Sequence, residues 1–273
     1  MCLSGISNCL VMYVKLLSQD IIIDLQLWLF SLLIPTLQLC SAQDVSHDTK
    51  RFRFGLPSST HILGLPVSTD TYLSGSMGAC TPVSRDEDQG FVDLVVKVYY
   101  KNIHSNYPDR GKMSQSLDAM SIGDKIDFRG PGLLVYIRNG NKFAIKPNKN
   151  LKCFSGITSM LQLIHSITAD PADATKSSLM FANQTKDILL REELEKVLKS
   201  HSEQLNLWFT LDKPPQDWKY SSGFVNADMM KEHLPLASNN VLIVMCGPPP
   251  MTQHPWHPNL STLGYKTENT FTY

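Results

Sequence analysis

Charged and aromatic residues alternate through Arg51-Phe52-Arg53-Phe54, the rhythm of a strand with one buried face, and Gly55-Leu56-Pro57 ends it. Residues 91–99 (FVDLVVKVY) are rich in β-branched side chains and follow Gly90, which predicts a second, stronger strand. Residues 113–120 predict a short helix, left through the turn Ser121-Ile122-Gly123-Asp124. Two more strands, 125–128 and 133–137, flank Arg129-Gly130-Pro131-Gly132. Short strands broken so often by Gly and Pro predict a small antiparallel barrel over residues 45–147.

The polar, basic stretch 146–152 (KPNKNLK) reads as a linker, and the period changes in the second domain, residues 148–273. Helical patterns at 157–168, 187–200 and 226–234 alternate with apolar runs at 178–182, 205–211 and 241–246. The middle helix carries Glu192/Lys196 and Glu195/Lys199 four residues apart, a spacing that supports an exposed helical face. Helices alternating with wholly apolar strands predict a doubly wound parallel sheet, which binds ligands at the carboxyl ends of its strands. This half opens on a helix, with no apolar strand ahead of residue 157.

Residues 21–42 (IIIDLQLWLFSLLIPTLQLCSA) are almost unbroken apolar sequence. The run 25–39 is near the lower limit for crossing a bilayer, and Asp24 and Pro35 weaken it. The preferred reading is an apolar N-terminal segment, 1–44, that acts as an uncleaved membrane anchor. A signal peptide, a buried core helix, or unrelated sequence joined to a domain starting near Val45 are the alternatives. Cys2 in place of glycine removes N-myristoylation as an expectation.

Composition narrows the function classes. The chain has 273 residues, 42% apolar and 18% charged, with a formal net charge of zero. That length supports two modest cores, and the lack of any basic tract excludes nucleic acid as the expected partner. The six cysteines are widely spaced and make no CxxC pair, so neither a disulfide framework nor a structural zinc site is expected. His254 and His257 form the closest histidine pair and read as surface-loop residues, so no metal is expected.

Several motifs then occur in a fixed order. They are Gly111-Lys112-Met113-Ser114-Gln115, Phe128-Arg129-Gly130-Pro131, Phe181-Ala182-Asn183-Gln184-Thr185, Gly223-Phe224-Val225, Cys246-Gly247-Pro248-Pro249-Pro250-Met251, Pro258-Asn259-Leu260 and Phe271-Thr272-Tyr273. In this order, over residues 45–273, the chain resembles the NADH–cytochrome b5 reductases. The resemblance implies an N-terminal FAD-binding barrel and a C-terminal NADH-binding α/β domain. It further implies hydride transfer from NADH to FAD and single-electron delivery to a cytochrome b5-like haem protein. Association with the cytoplasmic face of a membrane follows from the same resemblance, with contact through the N-terminal segment.

By position, the resemblance implies that Thr81 and Pro82 close the isoalloxazine motif and that Lys97 and Tyr99 lie along the flavin. Gly111, Lys112, Met113 and Ser114 would meet the pyrophosphate at a helix start. Gly156 and Thr158 would belong to the dinucleotide turn, and Asp212 would face the adenosine ribose. Cys246 would sit beside the nicotinamide as the catalytic residue, with Gly247, Pro248 and Met251 shaping the pocket. Plainer roles stand beside these: Lys97 as a solvated strand residue, Asp212 as a turn residue, Ser114 as a helix cap.

The chain departs from the family pattern at two motifs, so both domains are expected to be truncated. Gly78-Ala79-Cys80-Thr81 stands where the family reads Arg-x-Tyr-Ser/Thr. Of Gly-Gly-x-Gly-x-Thr-Pro only Gly156, Ile157 and Thr158 remain, Ser159 stands in the place of the proline, and the preceding apolar strand is missing. An inactive relative that has lost its cofactors and acts by binding a partner is the alternative expectation.

Overall fold

The structure is a computed structural model. It describes residues 9–15, 21–22, 36–63, 71–73, 78–85, 87–101, 111–129, 134–137, 142–145, 156–247 and 256–272. The first strands are β1 (Cys9–Lys15) and β2 (Ile21–Ile22). Contacts divide the chain into two compact units. Ile22–Tyr136 with Ala144–Gln162 form one; Met1–Ile21, Ile137–Phe143 and Leu163–Tyr273 form the other.

Leu37 and Leu39 mark where the barrel begins. They alternate with polar or exposed neighbours in β3 (Thr36–Ser46), and both are buried in the barrel core. The strand therefore starts ahead of Val45, and residues 36–42 of the apolar stretch belong to the barrel. Alternation decides this: a membrane helix needs apolar residues on all sides, and here every second side chain points to solvent. Residues 1–8, 16–20 and 23–35 of the expected anchor segment lie outside the described residues. Among the described residues no helix is long and apolar enough to cross a membrane.

The remaining barrel strands are β4 (Thr49–Gly55), β5 (Thr71–Leu73), β6 (Gly78–Cys80), β7 (Phe91–Lys97) and β8 (Lys125–Arg129). They lie in the order β6-β5-β8-β3-β4-β7, all antiparallel. A bridge between Pro82 and Leu94 joins the two outer strands and closes the sheet, reinforced by the Val83 N–H donating to Asp93 O at 2.9 Å. Phe54 and Phe128 meet edge to face inside, with centroids 5.1 Å apart. Helix α1 (Lys112–Asp118) adds Leu117 to the same core. Short strands β9 (Leu134–Ile137) and β10 (Lys142–Ile145) form a separate small sheet with β2, in the order β2-β10-β9.

The second sheet is built from β11 (Lys176–Asn183), β12 (Leu205–Leu211), β13 (Ser221–Ser222), β14 (Val241–Cys246) and β15 (Thr270–Thr272). Its order is β13-β12-β11-β1-β14-β15. The five C-terminal strands are mutually parallel, and β1 alone runs against its neighbours. Burial explains the strand sequences: every residue of β14, and all of β11 but its first, is buried.

Helices α2 (Ile157–Ala169), α3 (Arg191–Ser200), α4 (Ala227–His233) and α5 (His257–Thr262) complete the fold. Helix α3 begins at Arg191 rather than 187 because Leu190 takes a left-handed φ of 58° just before it. Helix α4 begins where Asn226 accepts a hydrogen bond from the Met229 N–H at 2.9 Å. The β and α/β architecture is thus the expected one, with a barrel sheet and a parallel sheet.

Candidate functional site

Thr81 and Pro82, expected at the flavin, sit where β6 ends. Thr81 is buried, with its Oγ1 2.6 Å from Ser159 Oγ in the first turn of α2, and Pro82 makes the barrel-closing bridge. Cys80 belongs to the barrel core, and its thiol donates to Met113 Sδ at 3.8 Å. Strands β5 and β6 are only three residues each, so the strand feeding the motif is short rather than absent. Neither contains an arginine or lysine.

Tyr99 and Gly111 define the next feature. Gly111 has φ +83°, and a Cβ there would lie 1.9 Å from the Tyr99 carbonyl oxygen, so glycine alone fits. Ser114 Oγ donates to Gly111 O at 3.1 Å and accepts the Tyr99 N–H at 3.0 Å. Gln115 Nε2 donates to Tyr99 O at 2.8 Å. The Ser114 hydroxyl is therefore spent on the turn, and what the turn offers a ligand is the backbone N–H groups of Lys112, Met113 and Ser114, which have no partner within a helix.

Lys97, at the end of β7, places its Nζ 2.8 Å from Asp48 Oδ2. Burial pushes the Asp48 carboxyl up, but hydrogen bonding and charge from Lys97, with help from Thr49, outweigh it and leave the group below its ordinary value of 3.8. Nearby, Arg53 grips the buried Asp93 carboxylate with two hydrogen bonds of 2.7 and 2.8 Å. Its guanidinium also lies 3.7 Å over the centre of the Phe91 ring.

Of the residues expected at the nucleotide, Cys246 and Asp212 lie at the carboxyl ends of β14 and β12 in the parallel sheet. Cys246, 4% exposed, is the last residue of β14, and Gly247 follows it half-buried. Asp212 follows β12 with an exposed side chain, and its N–H donates to Asn183 O at 3.0 Å. Gly156 opens α2 with open space where a Cβ would stand, and Thr158 is buried in its first turn. Pro248 and Met251 lie outside the described residues, as do His254 and the motif residues Gly130 and Pro131. Among the described residues no group of side chains could hold a metal ion.

Two residues join the site that sequence reading passed over. Ser159 marks a departure from the family pattern, yet its hydroxyl ties α2 to Thr81. Asn183 appears in the sequence only as part of a motif. It ends β11 at 6% exposure, and among the described residues neither its amide nitrogen nor its amide oxygen has a partner. An unsatisfied buried amide at the carboxyl end of a parallel strand fits a polar ligand such as a nucleotide. The one-sided turn at Gly111 likewise fits an anionic phosphate.

Comparison with known proteins agrees with this geometry. The family model for an oxidoreductase FAD-binding domain matches residues 36–136, and that for an oxidoreductase NAD-binding domain matches residues 155–255. NADH-cytochrome b5 reductase 2 of Danio rerio is 58% identical, over 87% of this chain and 83% of its own length. The human protein of that name is 51% identical over 87% of this chain and 93% of its own. The cytochrome b5 reductase domain of Ulva prolifera nitrate reductase superposes with a TM-score of 0.78 at 34% identity, covering 89% of this chain and 98% of that one. The match to the Danio rerio relative runs over 258 positions but takes up only 87% of this chain, so the relative carries residues inside the span that this chain lacks. With an FAD-binding barrel followed by an NAD-binding parallel sheet, the chain belongs to the NADH–cytochrome b5 reductase family.

Proposed function

We infer that this chain is an NADH-dependent FAD oxidoreductase whose electron acceptor is a cytochrome b5-like haem protein. The observation that carries this reading is the pair of family matches, FAD-binding and then NAD-binding, in a chain 58% identical to a cytochrome b5 reductase. Nothing observed favours the inactive alternative.

A bound FAD would supply the hydride-accepting and single-electron-releasing chemistry between NADH and the haem acceptor. The protein's own part is to bind, orient and exclude water. Thr81 and Pro82 would hold the flavin ring at the barrel seam, supported by their burial and by the Ser159 contact. Lys97 and Tyr99 would lie along the flavin, and the Gly111–Ser114 turn would offer N–H groups to its pyrophosphate, supported by the left-handed Gly111. Asp212 would accept hydrogen bonds from the adenosine ribose, a role its exposure supports, and Asn183 would satisfy its amide on the nucleotide. Cys246 would border the nicotinamide beside Gly247, Pro248 and Met251, while Gly156 and Thr158 would face the dinucleotide.

Attachment to the cytoplasmic face of a membrane, through the N-terminal segment, is proposed on the likeness to the cytochrome b5 reductases alone. Alkaline extraction of membranes from cells expressing the chain tests it; full release into the soluble fraction counts against attachment. The reaction itself is tested by mixing purified, FAD-supplemented protein with NADH and oxidised cytochrome b5. Growth of the reduced-haem absorbance at a rate proportional to protein is expected, and a rate equal to the protein-free control would refute the assignment.

A further inference from the structure

The centre of the parallel sheet is occupied by a strand from outside both family matches. The NAD-binding match begins at residue 155 and the FAD-binding match at 36, whereas β1 comes from residues 9–15. Seven residues of β1 stand opposite β11, and six opposite β14, in unbroken antiparallel register. Among the described residues β11 and β14 do not pair with each other, so β1 is the sole backbone link between the β13-β12-β11 side and the β14-β15 side. Met12 at its middle is 0% exposed.

Helix α2 offers a reason. In this fold a helix leading into β11 ordinarily follows a neighbouring parallel strand. Among the described residues no strand parallel to β11 precedes α2 in this sheet, and the Danio rerio relative carries residues within the matched span that this chain lacks. The sequence CLVMYVK is apolar and β-branched enough for a strand buried on both faces.

We propose that residues 9–15 are a replacement strand: this chain fills the central slot of its nucleotide-binding sheet with its own N-terminal segment, inserted in reverse polarity. The reversal matters for the site. Leu10 lies opposite Cys246 and Cys9 opposite Ala182, so β1 enters at the carboxyl edge where Asn183 and Cys246 stand. It holds those two strand ends about 9–10 Å apart, two strand spacings. The proposal concerns the sheet, and so stands or falls separately from turnover.

Register makes it testable in the full-length chain. Met12 faces Val244, whereas Met245 points to the other side of the sheet. Met12→Cys with Val244→Cys brings two thiols within disulfide reach. Met12→Cys with Met245→Cys does not. Peptide mass mapping after mild oxidation is expected to find the 12–244 cross-link within one chain, at least tenfold more abundant than the 12–245 cross-link. Equal yields, no 12–244 cross-link, or a cross-link joining two chains would overturn the proposal. Met12→Pro, which removes a ladder donor at the centre, is expected to lower the melting temperature by several degrees. An unchanged melting curve would also overturn it.

Discussion

Thr81 Oγ1 stands 2.6 Å from Ser159 Oγ, a buried hydroxyl pair that ties the segment after β6 to the first turn of α2. A proline at position 159 could not make this contact. Ser159→Ala is expected to cost about 1 kcal/mol. Chemical denaturation of Ser159→Ala, Thr81→Val and the double variant measures it as a coupling energy. Additive single effects would show that the two hydroxyls act independently.

Asp93 is a buried carboxylate at the barrel seam, and Arg53 supplies it with two charge-assisted hydrogen bonds. Arg51 lies 4.0 Å away and Arg53 is partly exposed, so water and Arg51 soften the loss. Arg53→Ala is expected to destabilise the protein by about 2 kcal/mol. Arg53→Lys should recover only part of this, because a lysine cannot grip both oxygens. Urea midpoints for the two variants distinguish them, and equal midpoints would contradict the bidentate role.

His233 stacks on Trp208, with ring centroids 3.7 Å apart and planes 14° from parallel. Burial lowers its pKa from the ordinary 6.5, against a smaller opposing pull from Glu232. The folded state thus favours the neutral ring, and the unfolded chain binds the proton more readily. The stabilisation is complete above pH 6.5 and is lost as pH falls through and below that value. His233→Phe should keep the stacking and flatten this part of the melting temperature profile between pH 7 and 5. An identical profile in the variant would exclude His233 as its source.

Asn183 and Asp212 meet at the carboxyl edge of the parallel sheet through the Asp212 N–H to Asn183 O hydrogen bond. Asn183→Ala is expected to raise KM for NADH by about tenfold, the loss of one well-made polar contact. Asp212→Ala should instead narrow the preference for NADH over NADPH, because a carboxylate disfavours the extra phosphate. Steady-state rates with the two nucleotides separate the roles; a KM for NADH unmoved in Asn183→Ala would remove that residue from the site.

Local pattern made much of this fold legible. Strand 205–211 and strand 241–246 stand where the periodicity predicts them, and Asn226 caps α4 at the expected start. Strand β3 was not legible because its buried positions, Leu37 and Leu39, sit inside a longer apolar run that masks their alternation. Strand β1 was hidden for a different reason: its partners lie more than 160 residues away, and long-range pairing leaves no local signal. At the site, glycine at 111 announced its turn through backbone geometry alone. Ser159 and Asn183 did not, since a hydroxyl or amide reveals its role only through what surrounds it.

Flavin occupancy tests the account most directly. The full-length chain, purified with FAD present and then freed of excess, should be yellow, with a visible flavin band that NADH bleaches under anaerobic conditions. A folded, colourless protein that added FAD cannot colour would contradict it.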